Sequence, residues 1–387
     1  MDIVRTQPIT GPAAWRGPDF DGDTRWIHHL TPDHIALFDT ALTQLKARGL
    51  RYPDFGRDDF PIHALAPELA RFADELENGR GFLLLRGLPV ERYSEEDLNV
   101  LYYGLGLHMG TPVRQNPRGE LLGAVMNVGD VTKKSTRVYE TNLYLPYHSD
   151  PSDVVGLLCI RKAHQGGLSS LVSVAAIYNE ILARRPEFIG LYYRPMYFEH
   201  LCEPQPSLSP IFSFHQGKLS CRYLRQYLEL GHEIMKQPLS RVEIAALDLF
   251  DEVMHDPAIR LDMMLEPGDI QFANNYAVLH SRNGFEDDED LAKRRKMIRL
   301  WLKMDNARAL GFWHDDLTDE NPVPDAQGLV EVPMWRHAII NIPHPLLKQG
   351  LVILDTPGLN AVGAEPELTV NLIPQAHAVV FILGADT

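Results

Sequence analysis

A mainly β fold, a β-sandwich or jelly roll buttressed by helices, is what the sequence predicts for most of this chain. From about residue 120 to 305 short apolar runs alternate with turn residues: "LLGAVMNVG", "VVGLLCIRKA", "SSLVSVAAIY", "PIFSFHQGKLSCRY", "DIQFANNYAVLHSR" and "RRKMIRLWLKM". Each has the length and punctuation of a strand, and "HQGK" reads as a hairpin turn. Two helical insertions interrupt the pattern, "AAIYNEILARRPEFIGLYY" and "SRVEIAALDLFDEVMHD". Many strands and few helices make sheets the body and helices the flanks.

The first hundred residues read as mixed α/β. "TPDHIALFDTALTQLKARG" has a Thr cap, helical spacing of Ile35, Leu37, Leu42 and Leu45, and a stop at Gly49. "PELARFADELENGRG" repeats that grammar, and "SEEDLNVLYYGLGLHMG" starts a helix at Ser94 with acids behind it. Between them "FLLLRGLPV" is a short apolar run bounded by Gly81 and Pro89, the pattern of a buried strand. After residue 308 the character changes. "HDDLTDENPVPDAQG" reads as a linker, and the apolar runs "LVILD" and "AVVFIL" beyond it have the grammar of a doubly wound α/β unit.

Bulk properties exclude several classes. With 37 Lys and Arg against 52 Asp and Glu, the net charge of −15 leaves no basic face for nucleic acid. Cys159, Cys202 and Cys221 are odd in number and lack paired metal-ligand spacing. They suit reduced thiols of a cytosol better than a disulfide framework. "MDIVRTQPITGPAAW" has no apolar core of a secretory signal, and no apolar run reaches the ~18 residues of a membrane span. A cytoplasmic protein is expected.

His148-Ser149-Asp150 in "LPYHSDPSD" is the first candidate for chemistry. On an extended segment residues two apart point the same way, so an imidazole nitrogen and a carboxylate oxygen can share one metal ion. With a distant histidine they form the facial triad of non-haem iron(II) oxygenases, which leaves three coordination positions open. His280, at the end of the run "YAVLH", can supply it. Taken alone, a His-x-Asp is more often a surface turn, and His280 a satisfied histidine at a strand end. "KRRKMIRLW" adds Arg294, Arg295 and Arg299 on a strand expected beside that of His280. Alternation puts Arg295, Met297 and Arg299 on one face. An inward arginine in an apolar strand is costly unless it meets an anion, and a carboxylate is its natural bidentate partner.

Taken together, His148-Ser149-Asp150, "GGLSS", "GD…NN…LHSR" and "RRKMIR" resemble the taurine dioxygenase and 2,4-dichlorophenoxyacetate dioxygenase (TauD/TfdA) family in residue type and order. "GRGFLLLRGLP" is similar to that family's opening strand, and the resemblance spans roughly residues 20 to 308. It implies a double-stranded β-helix (jelly roll) core and an iron(II)- and 2-oxoglutarate-dependent oxygenase. Such an enzyme couples decarboxylation of 2-oxoglutarate, to succinate and carbon dioxide, to oxidation of a C–H bond. Carried over residue by residue, it implies His148, Asp150 and His280 as iron ligands. Arg295 would hold the distal carboxylate of 2-oxoglutarate. Ser169 stands where the family usually has a threonine donating to that carboxylate, a mild departure because either hydroxyl donates. Arg299 matches an arginine that meets the sulfonate in the taurine enzyme; here it serves an anionic substrate or the co-substrate pocket.

Substrate choice then falls to the segments "RQNPRGELLGAVMNVGDVTKKSTRVYETN" and "EHLCEPQPSLSP", with Tyr139, Thr141 and Asn142 as pocket residues. Asn274 and Asn275 line the site or satisfy a turn. His28, His29, His164, His215 and His232 lie outside the motif order and read as surface or core residues. Expected partners are a small-molecule substrate and dioxygen, without nucleic acid or a membrane span, and self-association is compatible with them. The tail is separate. "LVILDTPGLN" resembles the nucleotide-switch motif of GTPases, and its surroundings resemble bacterial dynamin-like GTPases. No phosphate loop G-x-x-x-x-G-K-[ST] occurs in the chain. Residues 309–387 therefore read as an incomplete GTPase-like fragment that does not hydrolyse GTP. Two rival readings remain, a non-catalytic metal- or ligand-binding jelly roll and a GTPase-type switch. The complete arginine and ligand set disfavours the first, the missing phosphate loop the second.

Overall fold

The computed structural model describes residues 4–116, 118–128, 140–199 and 205–310. Two units divide the chain, Met1–Glu320 and Asn321–Thr387, and the expected tail strands lie outside the described residues. The strands that build the first unit begin with β1 (Ile27–His29), β2 (Phe82–Arg86), β3 (Thr111–Pro112), β4 (Leu122–Met126), β5 (Leu145–His148) and β6 (Val154–Arg161). They continue with β7 (Ser169–Ser173), β8 (Leu261–Met263), β9 (Ile270–Asn274), β10 (Val278–Arg282) and β11 (Lys296–Lys303). The major sheet has the order β1-β2-β9-β6-β11-β3, with β4 also on β11; the minor sheet has the order β8-β7-β10-β5.

Two stacked sheets with helices outside each explain the unbroken apolar runs. In β2, Phe82 and Leu84 enter the core between the sheets, while Leu83 and Leu85 pack under the helices Pro32–Ala47, Ala66–Asn78 and Glu95–Met109. A strand covered on both faces has no polar register to show. Each such side chain withdrawn from water contributes about 1.5–3 kcal/mol. On the other side, Val172 and Leu279 of the minor sheet pack against the helices Val174–Arg184 and Arg241–His255. Strand β11 alternates: Met297 and Trp301 face the inter-sheet core, and Ile298, Leu300 and Leu302 face the helices.

The helix starts follow their capping residues. Thr31 Oγ1 accepts from His34 N at 3.3 Å, Ser94 Oγ from Asp97 N at 3.1 Å, and Ser240 Oγ from Glu243 N at 3.2 Å. "HQGK" turns the hairpin Phe212–His215/Lys218–Cys221, with Gln216 at φ 46° and Gly217 at φ 82°.

One expectation needs correction, and one helix has no counterpart in the sequence pattern. The arginine strand does not neighbour that of His280: β11 pairs with β6, β4 and β3 of the major sheet, and β10 lies in the minor sheet. The two meet face to face across the core, because sequence order does not fix which sheet a jelly-roll strand joins. The helix Arg225–Ile234 was not expected, since Leu224 gives its start no side-chain cap. Its Gly231 lies where the backbone of Tyr197 passes, and a Cβ there would come 2.6 Å from Tyr197 O.

A buried ionic knot closes the unit near its end. The Glu77 carboxylate accepts from Lys218 Nζ at 2.5 Å, Arg308 Nε at 3.0 Å and Asn274 Nδ2 at 3.0 Å. Arg308 Nη1 also donates to Leu219 O at 2.6 Å. Removing Arg308 leaves the buried Glu77 carboxylate with only the half-buried Lys218 as a cationic partner among the described residues. Arg308→Ala should therefore lower the unfolding free energy by about 3 kcal/mol, read from urea denaturation.

Candidate metal centre

His148 is the last residue of β5 and His280 the middle residue of β10, and the two are directly paired across the strands. Their ring centroids lie 4.2 Å apart. His280 was expected at a strand end; it sits inside one, buried with its neighbours. Asp150 is not on the strand but in the turn beyond it. Ser149 N donates to Tyr223 O at 3.0 Å, and Asp150 N donates to Asn275 Oδ1 at 3.0 Å. That turn brings the carboxylate back over the histidines, with Oδ1 3.9 Å from His148 Nε2 and Oδ2 3.6 Å from His280 Nε2. The ligand atoms of the three residues all lie within 4.8 Å of one another, and no other such cluster occurs among the described residues.

Protonation suits metal binding. His148 Nδ1 lies 2.8 Å from Pro146 O. A carbonyl only accepts, so Nδ1 carries the proton and the Nε2 lone pair faces Asp150. Burial, aided by His280, pushes the His148 imidazole down to about 4. Burial also pushes the Asp150 carboxyl up, but Arg299, His280 and His148 together outweigh it and hold it well below the usual range. A neutral imidazole beside a permanent carboxylate is the state in which both can ligate.

One arginine contacts this cluster, and two others meet at Phe285. Arg299 Nη1 lies 3.7 Å from Asp150 Oδ1, and its Nε donates to Gln115 Oε1 at 2.7 Å. Gln115 Nε2 returns to Leu121 O at 2.7 Å and Arg299 O at 2.8 Å, which fixes the guanidinium. In this structure Arg299 meets the metal-ligand candidate, so its geometry lends no weight to an anionic substrate. Arg295 precedes β11, is 3% exposed, and stacks on Phe285 at 5.3 Å. Its Nη1 is buried with no hydrogen-bond partner among the described residues, and burial pushes the group down to about 10. Gly167 of "GGLSS" runs alongside the Arg295 side chain at a φ of 76°, which favours glycine, two residues before buried Ser169. A buried guanidinium nitrogen without a partner fits a carboxylate guest.

Several contributors were not singled out from the sequence. Arg282, paired in register with Ser169, donates to Thr141 O at 3.1 Å and to Leu143 O, and stacks on Phe285 at 4.5 Å. Trp301 Nε1 donates to Asp150 Oδ2 at 3.0 Å. Alternation along β11 could have found it, two residues beyond Arg299. Of the asparagine pair, Asn275 holds the Asp150 backbone, while Asn274, at the end of β9, accepts from Tyr276 N at 2.9 Å and donates to Glu77. Asn142 Nδ2 donates to Phe285 O at 3.2 Å, and Thr141 is buried. Tyr139 lies outside the described residues. His232 is spent on Tyr197 N and Gln237 O, and His28 packs on Phe72.

Two imidazoles and a carboxylate with their ligand atoms within 4.8 Å of one another are a donor set that suits non-haem iron. The model of the taurine catabolism dioxygenase TauD, TfdA family matches residues 41–301. FR-33289 synthase of Streptomyces rubellomurinus is 33% identical over 318 residues, 80% of this chain and 94% of that one. The taurine hydroxylase-like protein SAT17 of Stachybotrys chartarum is 26% identical over 309 residues, 76% and 80% of the two chains. Among solved structures, asparagine oxygenase in complex with Fe(II), 2S,3S-3-hydroxyasparagine and succinate shares the fold with a TM-score of 0.59 at 18% identity, over 72% of this chain and 94% of that one. The chain belongs to the TauD/TfdA dioxygenase family. It is an iron(II)- and 2-oxoglutarate-dependent dioxygenase.

The depressed His148 sets a pH dependence. An unfolded imidazole takes its proton near 6.5, the folded one only near about 4. Between those values the unfolded state binds more protons, so the metal-free protein loses stability as pH falls. Urea midpoints at about pH 7 and about pH 5 should show that loss, and His148→Asn should reduce it. An unchanged pH dependence in the variant would place the titrating group elsewhere.

Proposed function

We propose that His148, Asp150 and His280 bind the iron, and that Arg295 with Ser169 receives the distal carboxylate of 2-oxoglutarate. The observation that carries this reading is the set of three ligand atoms within 4.8 Å of one another, together with the buried Arg295 Nη1 that has no hydrogen-bond partner among the described residues. Arg299 supports the co-substrate pocket by pinning Asp150 from the opposite sheet. Bound iron, with 2-oxoglutarate and dioxygen, supplies the oxidation of a substrate C–H bond, releasing succinate and carbon dioxide. The protein's part is to orient both substrates and keep water out. Thr141 and Asn142, held by Arg282 and Phe285, form the rim over which a small molecule enters. Buried free thiols at Cys159 and Cys221 support a cytoplasmic setting.

Succinate formation with iron and 2-oxoglutarate supplied tests the assignment. Asp150→Ala should abolish it while leaving the fold intact. Arg295→Ala should raise the 2-oxoglutarate requirement by about 30- to 1000-fold, since a buried charge-assisted pair is worth roughly 2–4 kcal/mol. Near-normal turnover in the first variant, or an unaltered co-substrate dependence in the second, moves the site elsewhere.

We also infer that residues 309–387 are a separate, incomplete GTPase-like segment, dispensable for oxidation. Support comes from the switch-like "LVILDTPGLN" and from the missing phosphate loop. Titration of the full chain with GTP should give no binding, and micromolar affinity would overturn the inference.

A further inference from the structure

Trp301 is a neutral donor placed on the anionic member of the proposed triad, and nothing in that reading requires it. Its Nε1 lies 3.0 Å from Asp150 Oδ2. Indole N–H can only donate, so this bond has one polarity at every pH. The ring is 8% exposed, belongs to the inter-sheet core, and lies under the Arg299 guanidinium at 4.5 Å. It therefore has little freedom to turn away. Trp301 rises from β11 of the major sheet, whereas Asp150 follows β5 of the minor sheet. A single hydrogen bond thus ties the carboxylate to the wall opposite its own strand.

The carboxylate has other neighbours, and their chemistry differs. Arg299 at 3.7 Å is a cation, and a metal must compete with it for Oδ1. Asn275 reaches the backbone of Asp150 rather than its side chain. The indole removes one oxygen from contention without neutralising the charge. A triad serving a co-substrate and dioxygen must keep three positions open, and a carboxylate that chelates through both oxygens closes one of them.

We propose that Trp301 is a positioning residue for the metal site: its N–H holds Asp150 Oδ2 so that the carboxylate meets iron through one oxygen only. The proposal rests on the assignment of Asp150 as a ligand. Residues that orient a ligand in this way typically affect metal affinity by 10- to 100-fold.

The test is a titration of the full chain with Co(II), a divalent ion that needs no oxygen exclusion, followed by calorimetry and by its visible ligand-field bands. Trp301→Phe keeps an aromatic ring and removes the N–H. It should weaken Co(II) binding by about 10- to 100-fold and change the ligand-field spectrum, which loss of packing alone does not do. Met297→Leu, on the same face of the same strand and without a hydrogen bond to Asp150, controls for packing. It should bind Co(II) as the wild type does. Wild-type affinity and spectrum in Trp301→Phe, or an equal loss in Met297→Leu, would overturn the positioning role and leave the triad standing. A wild-type chain that binds no Co(II), or an Asp150→Ala variant that binds it normally, would overturn the triad and this proposal with it.

Discussion

A single buried carboxylate organises the centre of this molecule. Asp150 comes from a turn, yet its charge is placed between two sheets, where an unpaired anion is prohibitively costly. The guanidinium of Arg299 and the N–H of Trp301 offset that cost. Two imidazoles approach from the minor sheet, and a guanidinium and an indole N–H approach from the major sheet. The two sheets are thus held to one another at the site by polar contacts, in a core otherwise filled with Phe, Leu, Val and Met.

The same logic explains why the arginines are expensive and retained. Arg282, Arg295 and Arg299 all point into the region between the sheets. Arg299 is matched to Asp150 and Gln115, and Arg282 to the carbonyls of Thr141 and Leu143. Arg295 Nη1 is buried with no hydrogen-bond partner among the described residues, as is Arg282 Nε, but unlike Arg282 its side chain has no hydrogen bond to a carbonyl. A buried guanidinium held by no carboxylate or carbonyl is the group that suits the proposed carboxylate guest. Gly167 packs against Arg295 and Phe285 at a φ of 76°, a backbone conformation that favours glycine.

Much of this was legible in the sequence. The capped helices at Thr31, Ser94 and Ser240, the buried run at Phe82 and the hairpin at Gln216-Gly217 follow local rules that the final structure obeys. His148, Asp150 and His280 were visible as residue types in a recognisable order, and inward-facing Arg299 followed from period-two alternation. The helix Arg225–Ile234 was hidden because it lacks a cap and carries Gly231 for the benefit of a neighbouring backbone.

The sequence by itself determined which side chains were available and which faces of each strand they occupy, because helical and extended periodicities are set by covalent geometry. It could not determine who faces whom. That β11 stands across the core from β10 rather than beside it, that Asp150 swings back from a turn, and that Trp301 and Asn275 meet it there, are consequences of sheet stacking. Those contacts join residues more than a hundred positions apart in the chain. Only burial of both sheets' inner faces at once brings them within hydrogen-bonding distance.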